Sequence, residues 1–140
     1  MKILVDTAVW SLALRKKTLT TEEESIVKEL KELIYELRAV IIGPIRQELL
    51  SGISDEAKFD NLKEKLRAFD DLSLDKEDYE KAAEFSNICR RKGIQGSHID
   101  FLICAVAINN NIRIFTTDKD FENFKQLINI NLHKIREELK

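Results

Sequence analysis

Four acidic residues stand where an α/β protein would place its chemistry. Asp6 directly follows the apolar run Ile3-Leu4-Val5, and Asp118 comes shortly after Ile112–Phe115. Glu48 lies inside the segment after Ala39–Gly43, and Asp100 opens the apolar run Phe101–Ile108. If the three apolar runs ending at Val5, Gly43 and Phe115 are parallel strands, Asp6, Glu48 and Asp118 emerge at one end of the sheet. That carboxyl edge is where open α/β sheets bind ligands. The helix begun by Asp100 can aim its acid there too. Gathering carboxylates in this way is costly, because each raises the pKa of its neighbours. A divalent cation removes the repulsion, and an all-oxygen donor set that leaves waters on the ion suits Mg²⁺ or Mn²⁺. Such an ion generates hydroxide and steadies charge on a phosphoryl group. The chemistry indicated is metal-assisted hydrolysis of a phosphodiester.

Each acid also has a structural role open to it. Asp is a favoured helix N-cap, which Asp6 would satisfy at Thr7. Ser97 with Asp100, and Thr117 with Asp120, resemble capping boxes with Asp in place of Glu. Glu48 would serve as a solvated helix residue. Capping does not require acids, since Ser, Thr and Asn cap as well, so acids recurring at one sheet edge favour the joint reading.

The elements that must position these residues follow from periodicity. Thr7 onward reads as an apolar helix with Trp10 in the core. Thr21–Glu24 reads as the capping box of a long helix whose stripe is Ile26, Leu30, Leu33, Ile34 and Leu37. Pro44 suits a first helical turn and Gly52 a stop. Ser54 caps a further helix bearing Phe59, Leu62, Leu66 and Phe69, and Leu72–Leu74 reads as a third strand. Asp75 begins a helix that Gly93 closes. Asn109–Asn111 is a turn, Ile112–Phe115 a fourth strand, and Thr116–Phe124 a loop and short helix. Ile128 and Ile130 suggest a last strand, and residues 132–140 a charged, marginal helical tail. Strands alternating with helices predict one three-layer α/β/α domain over residues 1–140, with a central parallel sheet of four or five strands.

The bulk numbers remove other classes. One hundred and forty residues is the size of one domain. No apolar run approaches the ~20 residues of a membrane span, and Asp6 interrupts any leader-like run, so a cytoplasmic protein is expected. Two cysteines and two histidines, far apart, make neither a disulfide framework nor a zinc site. A net charge of −2 provides no general nucleic-acid surface. The local clusters Arg15-Lys16-Lys17 and Arg90-Arg91-Lys92 sit at predicted helix ends, where cations complement the macrodipole.

Four blocks in order carry a resemblance: Leu-Val-Asp6-Thr-Ala-Val-Trp, Arg-Gln-Glu48-Leu-Leu, Ile-Asp100-Phe-Leu-Ile-Cys-Ala-Val-Ala and Ile-Phe-Thr-Thr-Asp118-Lys-Asp-Phe. Together they resemble the PIN domain, and over nearly the full length the VapC-type toxin ribonucleases. The resemblance implies an Mg²⁺- or Mn²⁺-dependent endoribonuclease acting on RNA, with Asp6 and Asp100 as principal metal ligands. It implies Glu48 as an acid that binds or orients metal-bound water, and Asp118 as a fourth acid at a second site or acting through water. Thr116 or Thr117 would hold the acids by hydrogen bonds, with Asp120 in support. It also implies a homodimer silenced by a cognate VapB-like antitoxin. Arg46 is a candidate phosphate contact or an ion-pair partner. His98 is a candidate base, or more simply a residue of the capping turn. A housekeeping RNA-processing nuclease and a non-catalytic binding module are the competing readings. A receiver or phosphatase domain fits less well, because the sequence after strand one is Asp6-Thr-Ala rather than Asp-x-Asp.

Overall fold

A computed structural model describes residues 1–136. Its core is a parallel sheet in the order β2-β1-β3, formed by β1 (Ile3–Val5), β2 (Ala39–Val40) and β3 (Arg113–Phe115). In register, Ile3 and Leu4 face Ala39 and Val40 on one side, and Ile3 to Val5 face Arg113 to Phe115 on the other. Ile3, Leu4 and Val5 are all fully buried, so both faces of β1 are covered, as in parallel sheets generally. Each of these side chains contributes roughly 1.5–3 kcal/mol by leaving water.

The helices are α1 (Thr7–Leu14), α2 (Thr21–Tyr35), α3 (Gly43–Leu50), α4 (Glu56–Leu66), α5 (Lys76–Arg91), α6 (His98–Asn109) and α7 (Asp120–Lys125). The chain leaves β1 for β2 in one direction and crosses back over β1 to reach β3. Right-handed crossovers then place α2 and the α5–α6 pair on opposite faces. The same reversal opens a crevice at the carboxyl ends of β1 and β3. None of the described helices is long and apolar enough to cross a membrane.

The sheet is narrower than the four or five strands expected. At each edge the further segment makes a single parallel bridge, Asp71 to Ile41 and Leu132 to Ile114. Leu72–Leu74 donates to the sheet only through Leu72 N on Ile41 O, at 2.9 Å. The last pairing falls at Leu132, not at Ile128 and Ile130, whose side chains are core. Residues 132–136 are not helical either. His133 N donates to Ile114 O, and the buried His133 Nε2 pairs with buried Glu29 of α2 at 2.7 Å. Arg136 joins Glu29 to Glu36. These bonds commit the backbone to a docked extended segment. The remainder of the expected tail, 137–140, lies outside the described residues.

Helix ends explain the spacing. The capping box of α2 is Thr20 with Glu23, one residue earlier than expected, while those of α5 and α6 are Asp75 with Asp78 and Ser97 with Asp100. The left-handed stop after α5 is Gly93, at φ 73°. The stop after α2 is Leu37, at φ 60° and 79% exposed, with Arg38 N closing back onto Leu33 O. A leucine there carries the cost of its Cβ, about 1–2 kcal/mol, for no burial. Leu37→Gly is expected to stabilise the fold by about 0.5–1 kcal/mol, after the greater chain entropy of unfolded glycine is subtracted. Urea unfolding of the two proteins measures this, and equal or lower stability of the variant would contradict it.

Candidate active site

Asp6 is the residue that the local fold fixes most firmly. It ends β1, donates its N–H to Phe115 O of β3, and caps α1 by accepting from Thr7 N through Oδ1 at 2.7 Å. Its Oδ2 accepts from Thr116 Oγ1 at 2.7 Å, a bond spanning 110 residues of chain. Only 5% of Asp6 is exposed. Burial pushes its pKa up to about 6, the hydrogen bonds from Thr116 and Thr7 oppose that rise, and the charges of Asp100 and Asp118 add to it.

Thr116 is a two-way connector, since its Oγ1 also accepts from Asp118 N at 3.0 Å. Asp118 Oδ1 in turn accepts from Asp120 N at 2.9 Å. The expected Thr117–Asp120 capping box does not form: Lys119 is the N-cap of α7, makes no side-chain cap bond, and leaves the turn to Asp118. Of the two threonines it is therefore Thr116 that holds acids, while Thr117 is exposed.

Asp100 arrives from the opposite layer. It sits in the first turn of α6, where its Oδ2 accepts from Ser97 N and its N–H donates to Ser97 Oγ. Burial first, then the charges of Asp118 and Asp120, hold its pKa above the usual range. One turn on, the buried Cys104 thiol is likewise pushed up, by burial and by the charges of Asp100 and Asp6. Asp6, Asp100, Asp118 and Asp120 thus share one field at the crevice between β1 and β3.

Other sequence candidates lie apart from this group. Glu48 is exposed, well inside α3, with no hydrogen bond or ion pair to the other acids among the described residues. His98 is exposed at the first position of α6. Arg46 uses its guanidinium internally, on Asp71 Oδ1 at 2.7 Å and on the carbonyls of Leu66 and Phe69 at 2.9 and 2.8 Å. It closes the end of α4, so a phosphate would have to compete with those bonds. Trp10 is core, donating Nε1–H to Val5 O and packing edge-on against Phe69.

One determinant escaped the sequence reading. Gly96, just before the α6 cap, has no room for a side chain: a Cβ would come within 2.6 Å of Phe124 and 3.0 Å of Phe101. The close approach seats the first turn of α6, and with it Asp100, against α7. A lone glycine three residues after Gly93, ahead of a capping serine, was the available sign.

The donor chemistry suits a divalent cation. Three carboxylates, two of them with raised pKa values, repel one another at a crevice edge, and Thr7 Oγ1 beside Asp6 is buried without a hydrogen-bond partner. Among the described residues, however, no three His, Cys, Asp or Glu side chains are already drawn together as a metal cluster. Asp100 and Asp118 each have one carboxylate oxygen engaged in a local cap or turn.

A parallel α/β sheet with an acid buried at the end of its central strand, and acids from two other elements facing it, defines an acid-edge α/β domain. The PIN domain profile matches residues 3–127, and the chain belongs to the PIN domain family. Among solved structures, FitAcB from Neisseria gonorrhoeae is similar at a TM-score of 0.74 and 22% identity, over 94% of this chain and 96% of that one. VapBC2 from Rickettsia felis, bound to a promoter DNA fragment, is similar at 0.72 and 19%, over 95% and 98%. A toxin–antitoxin complex from Klebsiella pneumoniae is similar at 0.62 and 15%, over 86% and 90%. At such identities the likeness concerns the fold. A comparison with curated proteins finds no match.

The raised pKa of Asp6 has a consequence for stability. A carboxyl that titrates near 6 when folded and near 3.8 when unfolded binds its proton more tightly in the folded state, so its contribution falls as pH rises from about 4 to 6. Above that window the ionised group costs stability, on the order of 3 kcal/mol. Asp6→Asn, which can still cap α1, is expected to be more stable than the parent at pH 7 in EDTA by up to that amount. The gain should fade towards pH 4. Chemical denaturation at the two pH values measures it, and a variant destabilised equally at both would refute the assignment.

Proposed function

We propose that this protein is a Mg²⁺- or Mn²⁺-dependent endoribonuclease, the toxin of a toxin–antitoxin pair. The observation that carries the reading is the shared field of Asp6, Asp100 and Asp118 at the crevice between β1 and β3. Membership of the PIN family supports it, as do structural neighbours named VapBC, FitAcB and a toxin–antitoxin complex. By the same reasoning the partners are RNA, a VapB-like antitoxin and a second copy of the chain.

In this reading Asp6, Asp100 and Asp118 hold the cation, and Glu48 acts from α3 as an outlying acid. A bound divalent ion would lower the pKa of water and steady phosphoryl charge. Thr116 orients Asp6 by its short hydrogen bond, which opposes the rise that burial imposes on the Asp6 pKa, and it fixes the backbone of Asp118 at the same time. Asp120 adds negative charge at Asp100 and supports the turn. Asp6 has both oxygens engaged and little freedom, whereas Asp100 and Asp118 each keep one oxygen clear of hydrogen bonds among the described residues. Those two are the acids able to adjust towards a ligand.

Cleavage of labelled RNA with and without Mn²⁺ tests the proposal, with Asp100→Asn and Asp118→Asn beside the parent. The expected result is divalent-dependent cleavage that falls by roughly two to three orders of magnitude in either variant, the scale of losing several kcal/mol of charge stabilisation. Glu48→Gln should lose less. Equal cleavage by all four proteins, or none by any in Mn²⁺, would refute it.

A further inference from the structure

Away from the acid edge the fold buries another carboxylate. Glu29, in the middle of α2, is 5% exposed, and its Oε2 lies 2.7 Å from Nε2 of His133, itself 8% exposed. Arg136 closes over the pair, donating to Glu29 from Nε and Nη2. Burial alone would raise the Glu29 pKa, but the hydrogen bonds from Arg136 and His133 outweigh it and hold the carboxyl below its usual range. Glu29 is therefore an ionised acceptor, and His133 donates to it through Nε2–H. The other ring nitrogen, Nδ1, is buried without a hydrogen-bond partner.

Packing alone does not account for this pair. Apolar side chains of the same volume often serve as well as a buried ion pair, and they would strand no ring nitrogen. What they would lack is direction. His133 is held by α2, which is itself fixed in the core through the fully buried Leu30 and Leu33, and it stands at the outer edge of β3. There Ile114 N donates to Asn131 O and His133 N donates to Ile114 O, around the single bridge between Ile114 and Leu132. Two backbone bonds on one residue do not exclude a slipped pairing. The Glu29 bond does, because a slip of one residue turns His133 to the other face and a slip of two carries it about 7 Å along the strand. The His133 ring also packs edge-on against Phe115, at 5.2 Å between centroids. Phe115 O accepts from Asp6 N, and the next residue, Thr116, donates to Asp6 Oδ2. A contact anchored on α2 thus ends one residue from the threonine that holds Asp6.

We propose that Glu29 and His133 are positioning residues for the acid edge: their bond, anchored on α2, fixes β3 in the register at which Thr116 meets Asp6. The positioning stands on the fold alone, while its consequence for cleavage rests on the ribonuclease reading.

Amide hydrogen exchange at Asp6 and Asp118 reads this arrangement, since Asp6 N donates to Phe115 O and Asp118 N to Thr116 Oγ1. It is measured in EDTA beside urea unfolding, with the amides of α6 as internal reference. Two variants separate direction from packing. Glu29→Gln loses the charge but can still accept from His133, whereas Glu29→Met combined with His133→Leu refills the site with apolar side chains and no bond. The double variant is expected to keep or exceed the parental urea midpoint, yet to exchange at Asp6 and Asp118 at least about tenfold faster. Glu29→Gln should show the opposite pattern, a lower midpoint with exchange at the two amides within about threefold of the parent. In Mn²⁺ the double variant should lose about tenfold or more in kcat with KM unchanged. Exchange that simply follows the midpoint in both variants, acceleration shared equally by α6, or parental exchange or kcat in the double variant would overturn the proposal. If the exchange pattern appears while the parent cleaves no RNA, the positioning is upheld and the ribonuclease reading falls. If the parent cleaves and the pattern is absent, the reverse holds.

Discussion

Burying a carboxyl group at the end of the central strand is the constraint to which the rest of this structure answers. Asp6 is nearly inaccessible, so its ionised form must be supported locally. The support comes from both directions of the chain: Thr7 N immediately after it, and Thr116 Oγ1 from the far side of β3. Because the second bond needs β3 beside β1 in register, the acid and the sheet specify one another. A shift of β3 by one residue would turn Thr116 away and leave a buried carboxylate oxygen unpaired.

The other acids are held more loosely, and for a physical reason. Asp100 and Asp118 occupy the ends of helices and turns, where one oxygen accepts from a backbone N–H and the other makes no hydrogen bond among the described residues. Caps of this kind are local and replaceable, so the side chains can reorient at little cost to the fold. The site thus combines one acid fixed through both oxygens with two that are each held through one. The connections out of the two strands are short, Asp6 alone between β1 and α1 and residues 116–119 between β3 and α7.

Much of this was legible in the sequence, because it depended on local signals. The apolar triplet Ile3–Val5, the all-apolar α6, and the stops at Gly52 and Gly93 all follow from periodicity and turn chemistry. Ordered acids at strand ends pointed to the crevice, and the capping roles open to Asp6 and Asp100 are met at Thr7 and Ser97. What could not be read depends on long-range pairing. Nothing local marks Arg46 as the clamp of α4, since its partners lie 20 to 25 residues away. Glu29 is an acid on a charged helix until His133 and Arg136 cover it. The strand expected at Leu72–Leu74 has the alternation of a strand, but the chain turns into the Asp75 cap after a single pairing.

The hydrogen bond between Thr116 and Asp6 also sets an order in time. β1 leaves a ribosome before β3, and it cannot complete its pairing until β3 has followed, 110 residues later. The Glu29–Arg136 contacts, which dock the segment carrying Leu132, span a comparable 107 residues. Long-range closure of this kind is slow and comes late in folding. The nascent chain therefore carries Asp6 through 110 residues of synthesis without the threonine that pairs with it. Whatever the acid edge does begins only after β3 has joined β1 and Thr116 has reached Asp6.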